Sequence, residues 1–154
     1  FYIRQKNFQK ALFYINKALL IDDQNRFYWK RYASINKELN FFEEAEIGYR
    51  KAVELGDTQL DTWLFWVDIL QFLGEFDSAI LTLLQATEFF PESYEVEYRL
   101  GGLYFMLTED RKGKFHLSNA LRLSPDNKGI LQELYPVVWQ RRMVQNMINK
   151  NKSE

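Results

Sequence analysis

Residues 60–93 read LDTWLFWVDILQFLGEFDSAILTLLQATEFFPES, which is two apolar stripes separated by a glycine. In the first half, large apolar side chains recur at spacings of three and four, as on one face of an α-helix: Trp63, Trp66, Val67 and Leu70. The second half repeats this spacing with Phe76, Ala79, Ile80, Leu83, Leu84 and Ala86. Gly74 lies where a left-handed residue can end a helix, and Pro91 lies where a helix cannot continue. The stretch therefore predicts two helices joined by a tight turn.

The pattern returns along the chain with a period of 34 residues. Two columns of small residues follow this step: Ala11, Ala45, Ala79 and Gly113 in one, and Ala18, Ala52, Ala86 and Ala120 in the other. A fixed period of about 20 to 50 residues is typical of a repeat array. Because small side chains let helix backbones approach closely, we expect Ala45, Ala52, Ala79, Ala86 and Ala120 to be buried at helix crossings.

In this register the chain resembles the tetratricopeptide repeat (TPR) family over residues 1–127. The resemblance is carried by the small-residue columns, by Trp29 and Trp63 in the predicted first helices, and by Pro91 and Pro125 after the second helices. It implies an all-α fold, a right-handed α-solenoid of TPR helix-turn-helix units with a C-terminal capping helix.

The resemblance also implies the division of residues 1–154, which we expect to form a single array. A partial unit at 1–25 precedes full units at 26–59, 60–93 and 94–127, and a capping helix follows at 128–149. Pro136 interrupts this last segment, so it predicts a kink or a fresh helix start there.

Two departures from the pattern carry expectations of their own. Asp110 and Gly113 stand where an aromatic residue and an alanine are expected, so we expect the turn of the third unit to be looser.

The chain opens partway along a first helix and lacks an initiator methionine. We therefore expect it to be a fragment of a longer protein, whose missing part should matter to the exposed face of residues 8–21.

Composition argues against an enzyme, a metal site and a cofactor site. The chain has no cysteine and one histidine, His116, which removes thiolate catalysis, cysteine-ligated metals and histidine relays. No phosphate-binding glycine loop, zinc-ligand spacing or nucleophile elbow is present, and Gly101 of the Gly101-Gly102 pair falls in a small-residue column. We expect no catalytic residues, no metal and no cofactor.

The charge balance narrows the class of partner. With 20 Lys and Arg against 21 Asp and Glu, the net charge of −1 gives no general attraction to nucleic acid or to an anionic membrane. The basic residues at 111–114 and 141–142 are interpreted as solvated helix faces. We expect a protein or peptide partner, no nucleic acid and no membrane contact by this segment, and we assign a cytoplasmic location; the oligomeric state stays open.

The resemblance further implies where a partner binds, because first helices of TPR units line a concave groove. The positions that face a ligand in that family correspond here to a set that is aromatic and apolar in its middle: Phe27, Lys30, Arg31, Ser34, Lys37, Glu38, Asp61, Leu64, Phe65, Asp68, Gln71, Phe72, Glu95, Tyr98, Arg99, Gly102, Phe105 and Met106. We expect the apolar members to anchor an extended or helical peptide, with Lys30 and Arg99 orienting it. The alternative is that these side chains pack against neighbouring helices.

Some TPR domains hold the terminal carboxylate of chaperones in a clamp of Lys, Asn and Arg side chains. Lys30 and Arg99 match that clamp, whereas Ser34, Phe65 and Glu95 do not, and Glu95 would repel a carboxylate. We therefore expect no chaperone-tail binding of this type.

The favoured function is a non-enzymatic scaffold that binds a peptide or helix segment in its groove. Two alternatives stay open. Trp29-x-x-Tyr32-Ala33 and Trp63-x-x-Trp66 also resemble half-a-TPR repeats, which indicates an RNA-processing scaffold. The repeats are alternatively a docking or dimerisation module of a larger protein.

Overall fold

The computed structural model describes residues 2–152, with side chains described for residues 4–150. All regular structure in that range is helical, which confirms the predicted all-α fold class. In chain order the helices are α1 (Tyr2–Ile21), α2 (Arg26–Glu38), α3 (Phe42–Glu54), α4 (Leu60–Phe72), α5 (Phe76–Phe89), α6 (Tyr94–Met106), α7 (Asp110–Leu123), a 3₁₀ turn (Pro125–Asn127), α8 (Gly129–Leu134), α9 (Pro136–Trp139) and α10 (Arg142–Lys152).

The helix starts keep the period found in the sequence. The starts of α2, α4 and α6, at Arg26, Leu60 and Tyr94, are 34 residues apart, and α3, α5 and α7 keep the same step. The chain divides into two compact units, the first ending at Ala79 and the second beginning at Ile80, inside α5.

In the first unit, α2 packs against α1 and α3, and α3 packs against α4. The α2–α3 contact is close because its residues are small: a Cβ atom added at Gly48 would lie 2.7 Å from Ala33 Cβ. Ala33, Ala45, Tyr49 and Ile69 form one buried cluster of this unit. All five alanines predicted to be buried have no exposed surface.

Three turns between helices have the same geometry. Asn40, Gly74 and Thr108 each adopt a left-handed φ, of 64°, 79° and 59°. The N–H of the next residue donates to a carbonyl five residues back, at 2.8, 2.8 and 2.9 Å, as in a Schellman motif. The expectation of a looser third turn is therefore wrong, because these backbone hydrogen bonds close the turn whatever side chain follows it.

In the second unit, α6 packs against α7, and α8 and α9 also pack against α6. The predicted capping helix at 128–149 is three short helices, with the fresh helix start that Pro136 predicts and a second break after Trp139. Tyr135 is non-helical, with φ −132° and ψ 63°, and Pro136 is the first residue of α9. Proline disfavours the helical conformation of the preceding residue, which explains the fresh start.

Among the described residues, no helix has both the length and the apolar character needed to cross a membrane.

Candidate functional site

An open cleft of about 510 Å³ lies over α2 in the first unit. Tyr49 of α3 and Phe65 of α4 line it together with six residues of α2: Phe27, Lys30, Arg31, Ser34, Lys37 and Glu38. The α2 residues are spaced by three, one and three, and therefore share one face of the helix. They are also all six positions that the family resemblance assigned to the groove in this repeat.

The position of α2 is fixed at both ends by local hydrogen bonds. The Asn25 side chain caps the start of the helix by accepting from the N–H groups of Phe27 and Tyr28, at 3.0 and 3.2 Å. The left-handed turn at Asn40 ends it. A rigid helix thus presents the lining residues in a fixed register.

Lys30 is engaged inside the unit, at the wall of the cleft. Its Nζ lies 3.2 Å from Oδ2 of Asp57, whose side chain is 2% exposed. Asp57 Oδ1 also accepts from Gln59 N–H at 2.8 Å and from the Thr62 hydroxyl at 3.0 Å. Burial raises the pKa of Asp57, but hydrogen bonds from Gln59, Lys30 and Thr62 outweigh burial and hold this pKa below its usual value. Because Lys30 neutralises Asp57, it is a poor candidate for the orienting role expected from the sequence.

The remaining charges of the cleft differ in their partners. Glu38 accepts from the Arg4 guanidinium at 3.2 Å. Lys37 Nζ lies 5.3 Å from the centre of the Phe65 ring, a cation–π contact. Within the part of the chain that the structure describes, neither Arg31 nor Lys37 pairs with a carboxylate. Three basic residues against one acidic residue give the lining a charge of 3 − 1 = +2, and the Asp57 carboxylate paired with Lys30 reduces it to 2 − 1 = +1.

Aromatic rings form the apolar part of the cleft. Tyr49 is buried, and its ring centre lies 5.7 Å from that of Phe65. Burial, followed by the charges of Glu38 and Asp68, raises the pKa of Tyr49 to about 12, so its hydroxyl is protonated at neutral pH. Phe27 and Phe65 are 63% and 42% exposed and offer apolar surface that a partner would cover.

Apart from Phe65, the residues predicted for the groove in the second repeat do not line this cleft. Leu64 is buried, and Asp68 is half-buried. Phe72 is exposed, and its ring centre lies 4.1 Å from that of Phe42.

In the second unit, the predicted anchors Tyr98 and Phe105 are buried, with exposures of 0% and 2%, so the expectation that they are accessible was wrong. The physical reason is that α7, α8 and α9 all pack against α6. The Tyr98 hydroxyl donates to the Ser124 carbonyl at 2.7 Å. Its pKa is raised to about 12, by burial first and then by the charge of Asp126.

Phe105 is enclosed by Gly113 and Arg141. A Cβ atom at Gly113 would lie 2.8 Å from the Phe105 ring, so glycine in place of alanine makes room for this ring. The Arg141 guanidinium lies 5.3 Å from the ring centre and donates to both carboxylate oxygens of Asp110, at 2.9 Å each. Asp110 and Gly113, which depart from the repeat pattern, therefore form contacts that fix the C-terminal segment at Arg141.

Arg99 and Met106, which were also predicted for the groove, have other surroundings. Arg99 is half-buried and donates from Nη1 to the Glu95 carbonyl at 3.2 Å. Met106 is half-exposed and lines a separate apolar cleft of about 410 Å³, together with Pro136 and Val137.

Sequence reasoning missed one residue that lines the first unit's cleft and one that pairs with a lining residue. Tyr49 belongs to a second helix, and only first helices were considered. Asp57, the partner of Lys30, stands one period before Pro91, where the family pattern has proline. A carboxylate in place of this proline was the available signal for the ion pair.

His116 and the glycine pair are accounted for by packing. His116 Nδ1 lies 2.7 Å from Glu97 Oε2, and its ring stacks on Tyr104. A Cβ atom at Gly101 would approach the Leu117 backbone to 3.1 Å, and one at Gly102 would overlap the Tyr135 ring. No cluster of three or more His, Asp or Glu side chains within residues 4–150 is arranged to hold a metal ion.

Comparisons with known proteins agree with this architecture. The sequence model of the tetratricopeptide repeat matches residues 1–25. No curated protein sequence matches the chain significantly. The crystal structure of MamA is similar with a TM-score of 0.76 at 18% identity, covering 97% of this chain and 88% of MamA. YrrB, a TPR protein with an unusual peptide-binding site, is similar with a TM-score of 0.73 at 16% identity, covering 96% of this chain and 78% of YrrB. The chain therefore has the tetratricopeptide-repeat fold, with a repeat of that family at residues 1–25.

Proposed function

We propose that this chain is a non-enzymatic scaffold that binds a segment of another protein in the α2 cleft of the first unit. The observation that carries the proposal is that all six first-helix groove positions of one repeat line one open cleft with two exposed aromatic rings. YrrB, which shares the fold, has a peptide-binding site, and this supports the same class of partner here.

The two units differ in what is accessible on their first helices. In the second unit, Tyr135 lies against Gly102 and Tyr98 is buried, so the chain's own C-terminal segment takes up the surface of α6. In the first unit, Phe27, Arg31 and Phe65 keep their surfaces exposed around a cleft. The α2 cleft is therefore the better place for a partner.

Phe27 and Phe65 should supply most of the binding energy. Aromatic side chains at the centre of an interface each contribute about 2 kcal/mol or more when they are truncated to alanine. Lys30 should contribute less, because its ion pair with Asp57 exists before any partner binds.

The test is a selection from a random-sequence peptide display library on the intact chain. We expect selected peptides to bind the wild type and to bind a Phe27→Ala, Phe65→Ala variant more than tenfold more weakly. The matched control is Phe13→Ala, Phe115→Ala, which truncates two exposed rings on α1 and α7 that do not line the cleft. All three proteins should have the same helical circular dichroism.

The control variant should keep wild-type affinity. Selected peptides that bind the Phe27→Ala, Phe65→Ala variant as tightly as the wild type would move the binding surface away from α2.

A further inference from the structure

We infer that the segment bound in the α2 cleft is acidic, with Asp or Glu side chains beside an aromatic or aliphatic anchor. The inference rests on the proposed function, since it names the chemistry of the partner for the same site. Its basis is that exposed aromatic rings of the cleft lie beside basic side chains of α2 that have no carboxylate partner among the described residues.

Each exposed ring of the cleft has a basic group over it. The Arg26 guanidinium lies 5.1 Å from the centre of the Phe27 ring, and Lys37 Nζ lies 5.3 Å from the centre of the Phe65 ring. Arg31 follows Phe27 by one helical turn and is exposed on the same face. Apolar surface and positive charge therefore alternate along the cleft.

Two carboxylates near the cleft are already paired, and a third, that of Asp68, is half-buried and does not line it. Asp57 accepts from Lys30, Gln59 and Thr62, and Glu38 accepts from Arg4. Arg26, Arg31 and Lys37 have no carboxylate partner among the described residues. The positive charge that a partner meets is thus the charge of these three side chains.

A carboxylate on the partner would fit this distribution in two ways. It would pair with Arg31 or Lys37, and Arg would offer two parallel donors to it. A basic partner would meet like charges at both rings. Repulsion between these charges disfavours a basic segment in the cleft. Apolar side chains beside the carboxylates would cover Phe27 and Phe65.

The experiment uses the peptides selected from the random library and their amide counterparts, with every Asp changed to Asn and every Glu to Gln. We expect the selected peptides to be enriched in Asp and Glu next to aromatic, Leu or Ile residues. Amide replacement should weaken binding to the wild type about tenfold at low salt, with a smaller loss at high salt.

Two variants separate the charges of the cleft from the overall charge. In Arg31→Gln, Lys37→Gln most of the preference for the acidic peptides over their amide counterparts should be lost, with Arg26 as the remaining cation. The matched control is Lys17→Gln, Arg111→Gln, which has the same charge change; Lys17 lies 4.4 Å from the Phe13 ring centre and Arg111 is exposed on α7. This control should keep the tenfold preference.

The outcomes distinguish the two proposals. Peptides that need Phe27 and Phe65 but bind equally well after amide replacement overturn the acidic partner and leave the proposed function standing. Peptides that bind without regard to Phe27 and Phe65 overturn the proposed function, and the acidic partner with it.

Discussion

Lys30 and Arg31 are adjacent in the sequence and both line the α2 cleft, yet their charges have different surroundings. Lys30 pairs with buried Asp57, whereas Arg31 is exposed without a carboxylate partner in the described residues. The family resemblance placed both residues in the groove. It did not separate their roles, because Asp57 follows Lys30 by 57 − 30 = 27 residues and approaches it only in the folded unit.

The Asp57 carboxylate should stabilise the first unit. In Asp57→Asn we expect a loss of about 1–3 kcal/mol at pH 7, since three hydrogen-bonding partners lose a charged acceptor. Because the pKa of Asp57 is lowered in the folded state, its contribution is present above the unfolded pKa of about 4 and is lost as pH falls through the folded pKa. Urea unfolding near neutral pH and near pH 2–3 checks this, with the exposed Asp61→Asn as control. An equal loss at both pH values would contradict the assignment.

Gly102 should be needed because the Tyr135 ring packs on its Cα. In Gly102→Ala we expect a destabilisation of about 1–3 kcal/mol from overpacking. Gly129→Ala is the matched control, because no atom lies within 4 Å of its added methyl group. Thermal unfolding by circular dichroism measures both. A Gly102→Ala melting temperature equal to that of Gly129→Ala would show that the ring moves aside without cost.

At the scale of elements, the repeat period predicted helix positions well. Apolar spacing and turn residues are local properties, so the windows of α2 to α7 followed from them. The third turn was misjudged because Asp110 and Gly113 were assessed against the repeat pattern alone. Asp110 binds Arg141 and Gly113 accommodates Phe105. The repeat pattern indicates neither contact, because both form only in the folded chain.

The left-handed turn at Thr108 should carry conformational strain. A β-branched residue is unfavourable at φ 59°, by roughly 1–2 kcal/mol relative to glycine. Thr108→Gly should therefore relieve this strain. Because glycine also gains more conformational entropy on unfolding, which offsets part of the effect, we expect a net stabilisation of up to about 1 kcal/mol. The control is Thr58→Gly, an exposed loop residue without a positive φ, which should destabilise slightly. Both free energies come from urea unfolding, and a destabilised Thr108→Gly would be evidence against strain at the turn.

At the scale of the whole molecule, the groove positions of the repeats are used unequally. The positions of the first full repeat line a cleft, whereas Tyr98 and Phe105 are buried. The sequence predicted the candidate set but not this difference. Residues 128–149 were predicted as a capping helix with a kink or a fresh start at Pro136, and the breaks at Tyr135 and after Trp139 let that segment pack on α6.

Removal of this segment should expose α6. A stop after Asn127 keeps the predicted third repeat complete but removes Tyr135 and Val138, so we expect lower stability, binding of the dye ANS and a tendency to aggregate. The control is a stop after Asn149, which keeps α8, α9 and the buried residues Val144 and Ile148. ANS fluorescence and light scattering measure the difference. A truncated chain as stable and as dye-free as the control would show that α6 does not need its cover.

The packing of Tyr135 on Gly102 also has a consequence for synthesis on the ribosome. The two residues are 135 − 102 = 33 positions apart, and a ribosome adding roughly 5–20 residues per second needs roughly 2–7 s to cover that distance. The same interval separates the emergence of Gly102 and of Tyr135 from the exit tunnel, and during it α6 is outside the ribosome without the segment that covers it. The first unit has no such delay, because all its helices emerge before α6 does. Nascent chains stalled with α6 outside the exit tunnel and Tyr135 still inside it should therefore be the ones that recruit chaperones.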